Sequence, residues 1–116
     1  VAGGSDERDS QGAYKTAEIF DPKTMDFRNV ADMNLARYKL QGTSVLQNDG
    51  RVLIAGGNDQ AEIFDPTGES FKTVPDKVET KLRFSTATLL VDGRTLIVGG
   101  YNDNIVVSSN AWLFHK

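Results

Sequence analysis

The side chains with the most chemistry in this chain gather in three polar stretches and two basic ones. Ser5 to Lys15 (SDERDSQGAYK), Asn58 to Gln60 (NDQ) and Tyr101 to Asn110 (YNDNIVVSSN) carry Asp6, Glu7, Asp9, Asn58, Asp59, Asn102, Asp103 and Asn104. Oxygen donors of this kind suit a calcium ion or a polar ligand. No EF-hand spacing orders them, which favours a solvated acidic surface instead. Arg37, Tyr38 and Lys39 in one place, and Lys81, Leu82 and Arg83 in another, add cations and a ring. Tyr101 and Arg37 are the better candidates for partner contact, since Tyr and Arg concentrate at interface hot spots. The candidate binding set is Arg37, Tyr38, Asn58, Asp59, Arg83, Tyr101, Asn102 and Asp103.

Much other chemistry is excluded by what these 116 residues contain. There is no cysteine and one histidine, His115, so thiolate sites, histidine triads and most zinc sites lack their ligands. No catalytic, cofactor-binding or metal residue is assigned, and no cofactor is expected. A formal charge of −3, with no Lys/Arg run, gives no electrostatic reason to expect nucleic acid or a membrane as partner. No apolar stretch approaches the length of a membrane span. Three Gly pairs, Gly3-Gly4, Gly56-Gly57 and Gly99-Gly100, lack the following Lys of a phosphate-binding loop and read as packing glycines. Asp21-Pro22 and Asp65-Pro66 recur at one place in the pattern, so these carboxylates read as turn formers.

What positions the polar stretches is a repeat. TAEIFDP at Thr16 to Pro22 returns as QAEIFDP at Gln60 to Pro66, and Asp49-Gly50-Arg51 returns as Asp92-Gly93-Arg94. A period of roughly 43–44 residues marks an array of one supersecondary unit. The second copy predicts four antiparallel strands: Gln41 to Gln47, Val52 to Ala55, Ala61 to Asp65, and Phe71 to Val74, the last stopped by Pro75. Asp-Gly between the first two predicts a type I′ hairpin. The third copy predicts Phe84 to Val91, Thr95 to Val98 and Ala111 to His115; the first predicts Ala17 to Asp21 and Phe27 to Val30 after the tail Val1 to Gly4. Trp112 stands where the other copies have Glu18 and Glu62, positions expected to face outward. The class is all-β.

A diglycine ending a strand, an aromatic on the next strand and another seven residues on form a pattern that resembles the kelch repeat. Gly3-Gly4 goes with Phe20 and Phe27, and Gly56-Gly57 with Phe64 and Phe71, with Phe where Tyr and Trp are usual. The wording AEIFDP…DGRVLIAGG is similar to bacterial kelch and galactose-oxidase-like propellers. The resemblance implies a β-propeller fragment built of four-stranded antiparallel blades, with residues 1–34 an incomplete first blade, 35–79 a complete one and 80–116 a third lacking its outer strand. About two and a half blades do not close a ring. The chain therefore reads as a segment of a longer propeller, paired with its remaining blades or with itself. It also implies an extracellular or cell-envelope location.

Two functions follow as expectations. The first is a non-catalytic scaffold that binds a protein or carbohydrate partner through its loop face. The second is part of a kelch-fold enzyme acting on sugars, similar to copper radical oxidases or sialate epimerases. The oxidases need a Tyr crosslinked to Cys with His ligands, which this chain does not supply. For an epimerase, Arg37 and Arg83 would line a channel and hold an anionic sugar. The scaffold is the expected function.

Overall fold

In a computed structural model, described for residues 1–78 and 81–115, the chain forms nine strands and one short 3-10 turn, Asp9–Gly12. The strands are β1 (Glu18–Asp21), β2 (Asp26–Asn29), β3 (Ser44–Leu46), β4 (Val52–Ile54), β5 (Gln60–Asp65), β6 (Ser70–Lys77), β7 (Thr86–Leu89), β8 (Thr95–Val98) and β9 (Ala111–Phe114). They make three antiparallel meanders: β1-β2, β3-β4-β5-β6 and β7-β8-β9. The tail before the first sheet lies beside β1, with Ala2 bridged to Ala17. The boundary expected between residues 79 and 80 lies outside the described residues.

The apolar alternation of the second sheet explains how the sheets stack. Leu53, Ala55 and Val74 point to one face and bury against Ile97 of β8, joined by Ala61, Ile63, Ala87, Trp112 and Phe114. Fully burying a side chain the size of Leu53 contributes about 1.5–3 kcal/mol. The opposite face of the second sheet, with Ser44, Val52, Ile54, Phe64 and Phe71, looks across a seam to Ala2, Ala17, Ile19 and Val30 of the first. Phe20 sits opposite Phe27, and Phe64 opposite Phe71, with ring centroids 5.0 Å and 4.9 Å apart.

Three expectations are corrected. The Asp-Gly hairpins are not type I′, because only Gly50 and Gly93 have positive φ, +85° each, while Asp49 and Asp92 do not. Gly50 N donates to Gln47 O and Gln47 N to Arg51 O, so each loop is a β-turn followed by a left-handed glycine, repeated at Leu90 to Arg94. Pro75 does not end β6, which continues to Lys77. As the outer strand β6 needs no donor on its free edge. The pairing with β5 shifts between Gln60 and Glu62, and the Gln60 amide donates to Val74 O at 2.6 Å to satisfy the irregular stretch. Finally, Glu62 does not face outward: it is 0% exposed, whereas Glu18 is exposed as expected. Trp112, at the same sheet position, is half-buried in the core between the second and third sheets.

The Asp-Pro turns behave as the sequence implies. Asp21 Oδ1 accepts from Lys23 N at 2.9 Å and Asp65 Oδ1 from Thr67 N at 2.8 Å, which fixes both turns locally.

Candidate functional site

In each meander the β-turns at 47–51, 65–70 and 90–94 lie at one end. The longer loops at 55–60 and 99–110, the crossing at 30–43 and the described residues 81–85 before β7 lie at the other. This second end is the loop face, and it collects the polar stretches.

Its scaffold is Arg37. The Arg37 backbone is tied to the segment that precedes the first sheet, donating from N to Tyr14 O at 3.1 Å and accepting from Gly4 N at 2.9 Å. Its side chain belongs to the second: the guanidinium donates to Gly56 O at 2.7 Å, Gln60 O at 2.8 Å and the Glu62 carboxylate at 2.9 Å. Glu62 completes the clasp by accepting from Asn34 N at 2.6 Å, Asn34 Nδ2 at 2.9 Å and Leu35 N at 3.1 Å. Both side chains are fully buried. Burial holds the Arg37 pKa below its ordinary value, with Glu62 pulling the other way; the guanidinium stays charged. Arg37 is thus a strut between sheets and presents no donor to solvent, so the expectation that it lines a channel is corrected. Gly57 makes the crossing possible: with φ +78°, a Cβ there would meet Leu40 Cδ2 at 2.6 Å and Tyr38 O at 2.8 Å.

Beyond the strut, Lys39 gathers a cluster. Its Nζ lies 3.2 Å from the Tyr101 hydroxyl and 3.5 Å from Asp9, with the rings of Tyr38, Tyr101 and Phe84 at 5.1, 5.7 and 5.8 Å. The hydrogen bond to Tyr101 is the chief reason its pKa is raised, with Asp9 adding to it. Arg83 approaches the Tyr38 ring to 4.8 Å and pairs with Asp103, which Lys81 also reaches at 4.0 Å. Phe84 and Tyr101 form a tilted ring pair with centroids 5.9 Å apart. The backbone here is unusual: Asp9, Lys39, Phe84 and Ile105 all have φ between +53° and +59°. Non-glycine residues adopt that region at a cost, and such positions cluster at functional sites.

Of the eight candidate residues, four meet here: Tyr38, Arg83, Tyr101 and Asp103. Asn102 instead holds its own loop, its Oδ1 accepting from Asn104 N and Val106 N at 3.0 Å each. Asn58 caps the crossing by donating to Ala36 O at 3.0 Å, and Asp59 pairs with Lys77 at 3.1 Å. Lys39 and Phe84 were not among the candidates. The signal for them was present, as a basic–aromatic pairing precedes the inner strand in both copies, Tyr38-Lys39 and Arg83-Phe84. The acidic side chains do not group with one another but each take a cation: Asp6 pairs with Arg8, Asp9 with Lys39, Asp59 with Lys77 and Asp103 with Arg83. Among the described residues no three His, Cys, Asp or Glu side chains are grouped to hold a metal ion.

No protein-family model and no curated protein matches the chain. Among solved structures, the chain is similar to a fungal alcohol oxidase of the AA5 family, determined in complex with copper. The TM-score is 0.67 at 11% identity, over 86% of this chain and 21% of that one. The chain therefore spans about a fifth of that protein. The single histidine, His115, lines the outer groove with Trp112 and Pro75. The fold is all-β, in antiparallel sheets, and is similar to the galactose-oxidase-like propeller.

Proposed function

We propose that the chain is a kelch-type propeller segment acting as a non-catalytic interaction scaffold, whose loop face binds a protein or carbohydrate partner. The observation that carries this reading is the cluster about Lys39. It joins two cations, three rings and two exposed carboxylates, with the Phe84 ring left 52% exposed on a rigid support. Loops fixed to such a support are where binding usually resides, and exposed aromatics beside Arg are the usual anchors. The array's end faces, Phe20 and Phe27 on the first sheet and Val98 and Leu113 on the third, are exposed and fit further sheets of the same kind or a second copy.

The test is binding of the chain to glycan and peptide libraries. Phe84→Ala is expected to abolish the main interaction while leaving the thermal unfolding curve in place. Binding that Phe84→Ala leaves intact would overturn the reading. The likeness to an alcohol oxidase favours a second function, part of an enzyme acting on sugars or alcohols, but shared fold does not carry activity. Turnover of such a substrate that disappears in Phe84→Ala would establish it in place of the scaffold.

A further inference from the structure

The charges of the loop face are distributed unequally. The two cations are sheltered, with the Arg83 side chain 6% and the Lys39 side chain 28% exposed, while their carboxylates, Asp103 and Asp9, are 56% and 63% exposed. Lys39 and Arg83 share the Tyr38 ring, so they need anions close by to offset their repulsion. The anions they have are exposed side chains on loops, Asp103 being reached also by the exposed Lys81 at 4.0 Å. Arg83 is only partly engaged: its Nη2 donates to Asp103, but its buried Nε has no partner.

Resting on the reading of the loop face as a binding surface, we infer that this cluster is a receptor for a carboxylate-bearing sugar, with Asp9 and Asp103 as built-in competitors. In the free chain they neutralise Lys39 and Arg83, and the ligand's carboxylate displaces them. The tilted Phe84–Tyr101 pair beside the cations supplies an apolar aromatic surface for the C–H face of a sugar ring, and the Tyr101 hydroxyl supplies a polar contact. An acidic peptide is disfavoured because the local backbone is already engaged. Arg83 bridges to Tyr101, Tyr101 to Val107, and Phe84 N donates to Lys39 O, leaving few groups for an extended chain to pair with.

The experiment is titration calorimetry of the chain with a galacturonic acid trimer, a neutral galactose trimer and a tri-glutamate peptide. The galacturonate trimer should bind best and weaken with salt. Asp9→Asn should tighten it about two- to threefold, and Asp9→Asn/Asp103→Asn about three- to tenfold, because each removes an exposed competing pair. Lys39→Met should weaken it at least about fivefold. Asp9→Asn alone decides the matter if the double variant is unstable. Unchanged or weaker affinity in Asp9→Asn overturns the inference. So does equal binding of the neutral trimer, or preference for the peptide, although these two outcomes leave the loop face a binding surface. If no library member binds, or if binding survives Phe84→Ala intact, both readings fall.

Discussion

Glu62 offers the most demanding test of how this chain holds its sheets together. Its carboxylate accepts four hydrogen bonds in a site with no solvent exposure, and Arg37 depends on it for charge balance. In Glu62→Gln the amide keeps one acceptor oxygen for the Asn34 donors but turns an NH2 group towards Leu35 N and the guanidinium. Donor then faces donor, and the Arg37 charge is left unbalanced. Breaking a buried pair from one side costs about 3–5 kcal/mol. The three carbonyls that also serve Arg37 soften this, so about 2–4 kcal/mol is expected, a large part of a total stability of about 5–15 kcal/mol. With a urea slope of about 1.5 kcal/mol/M, 3 kcal/mol lowers the midpoint by about 2 M. Trp112 is the only tryptophan and sits in the core between the second and third sheets, so its fluorescence reports the transition. Arg37→Met should cost a similar amount. The double variant should cost less than the sum by about 2 kcal/mol, since removing the second charge relieves the first. A cost below about 1 kcal/mol for Glu62→Gln, or simple additivity in the cycle, would refute the view that this pair clamps the sheets.

The glycines separate strain from crowding. Gly50 and Gly57 both have positive φ, but a Cβ on Gly50 meets nothing within 4 Å, while one on Gly57 meets Leu40, Tyr38 and Arg37 at 3.0 Å or less. Gly50→Ala should therefore cost about 1–2 kcal/mol and Gly57→Ala at least about 2 kcal/mol more by urea denaturation; equal costs would refute the crossing as the reason for the diglycine. Leu53→Ala should cost about 2–5 kcal/mol and shift the Trp112 emission, because Leu53 is fully buried in the cluster that Trp112 packs against. Asp6, Glu69 and Asp92 are each held below their ordinary pKa values, chiefly by hydrogen bonds from Arg8, Arg28 and Arg94. The unfolded chain then takes up protons first on acidification, so their contribution is complete above about pH 4.5 and is lost as pH falls through the lower folded values. Glu69→Gln should flatten the acid side of a melting-temperature profile, and an unchanged slope would refute this.

The fold was readable because it repeats. Each AEIFDP block places an aromatic on a strand, an Asp on a turn and an apolar residue on the buried face, and two copies with the same period make coincidence a poor explanation. Where the reading went astray, the cause was a hydrogen bond or a strand position that the residue types alone do not show. The type I′ expectation treated Asp-Gly as a complete loop, whereas the hydrogen bonds from Gln47 N to Arg51 O and from Gly50 N to Gln47 O spread it over three residues. Pro75 ends a strand only if that strand needs its N–H, which an outer strand does not.

Glu62 shows why repetition alone cannot assign a residue's role. The AEIFDP copies are alike, yet Glu18 is exposed and Glu62 is buried, because Glu62 meets a crossing that brings Asn34, Leu35 and Arg37 from more than twenty residues away. An acidic residue in an alternating strand reads as solvent-facing until its partner's path is known. The same reasoning moved Arg37 from the loop face to the interior. It left the loop face to residues that differ between copies, Lys39, Phe84 and Tyr101, whose convergence depends on how two crossings pass each other. In a repeat array the recurring residues build the support, and the places where the support is crossed decide which copy of a residue is buried and which is left exposed.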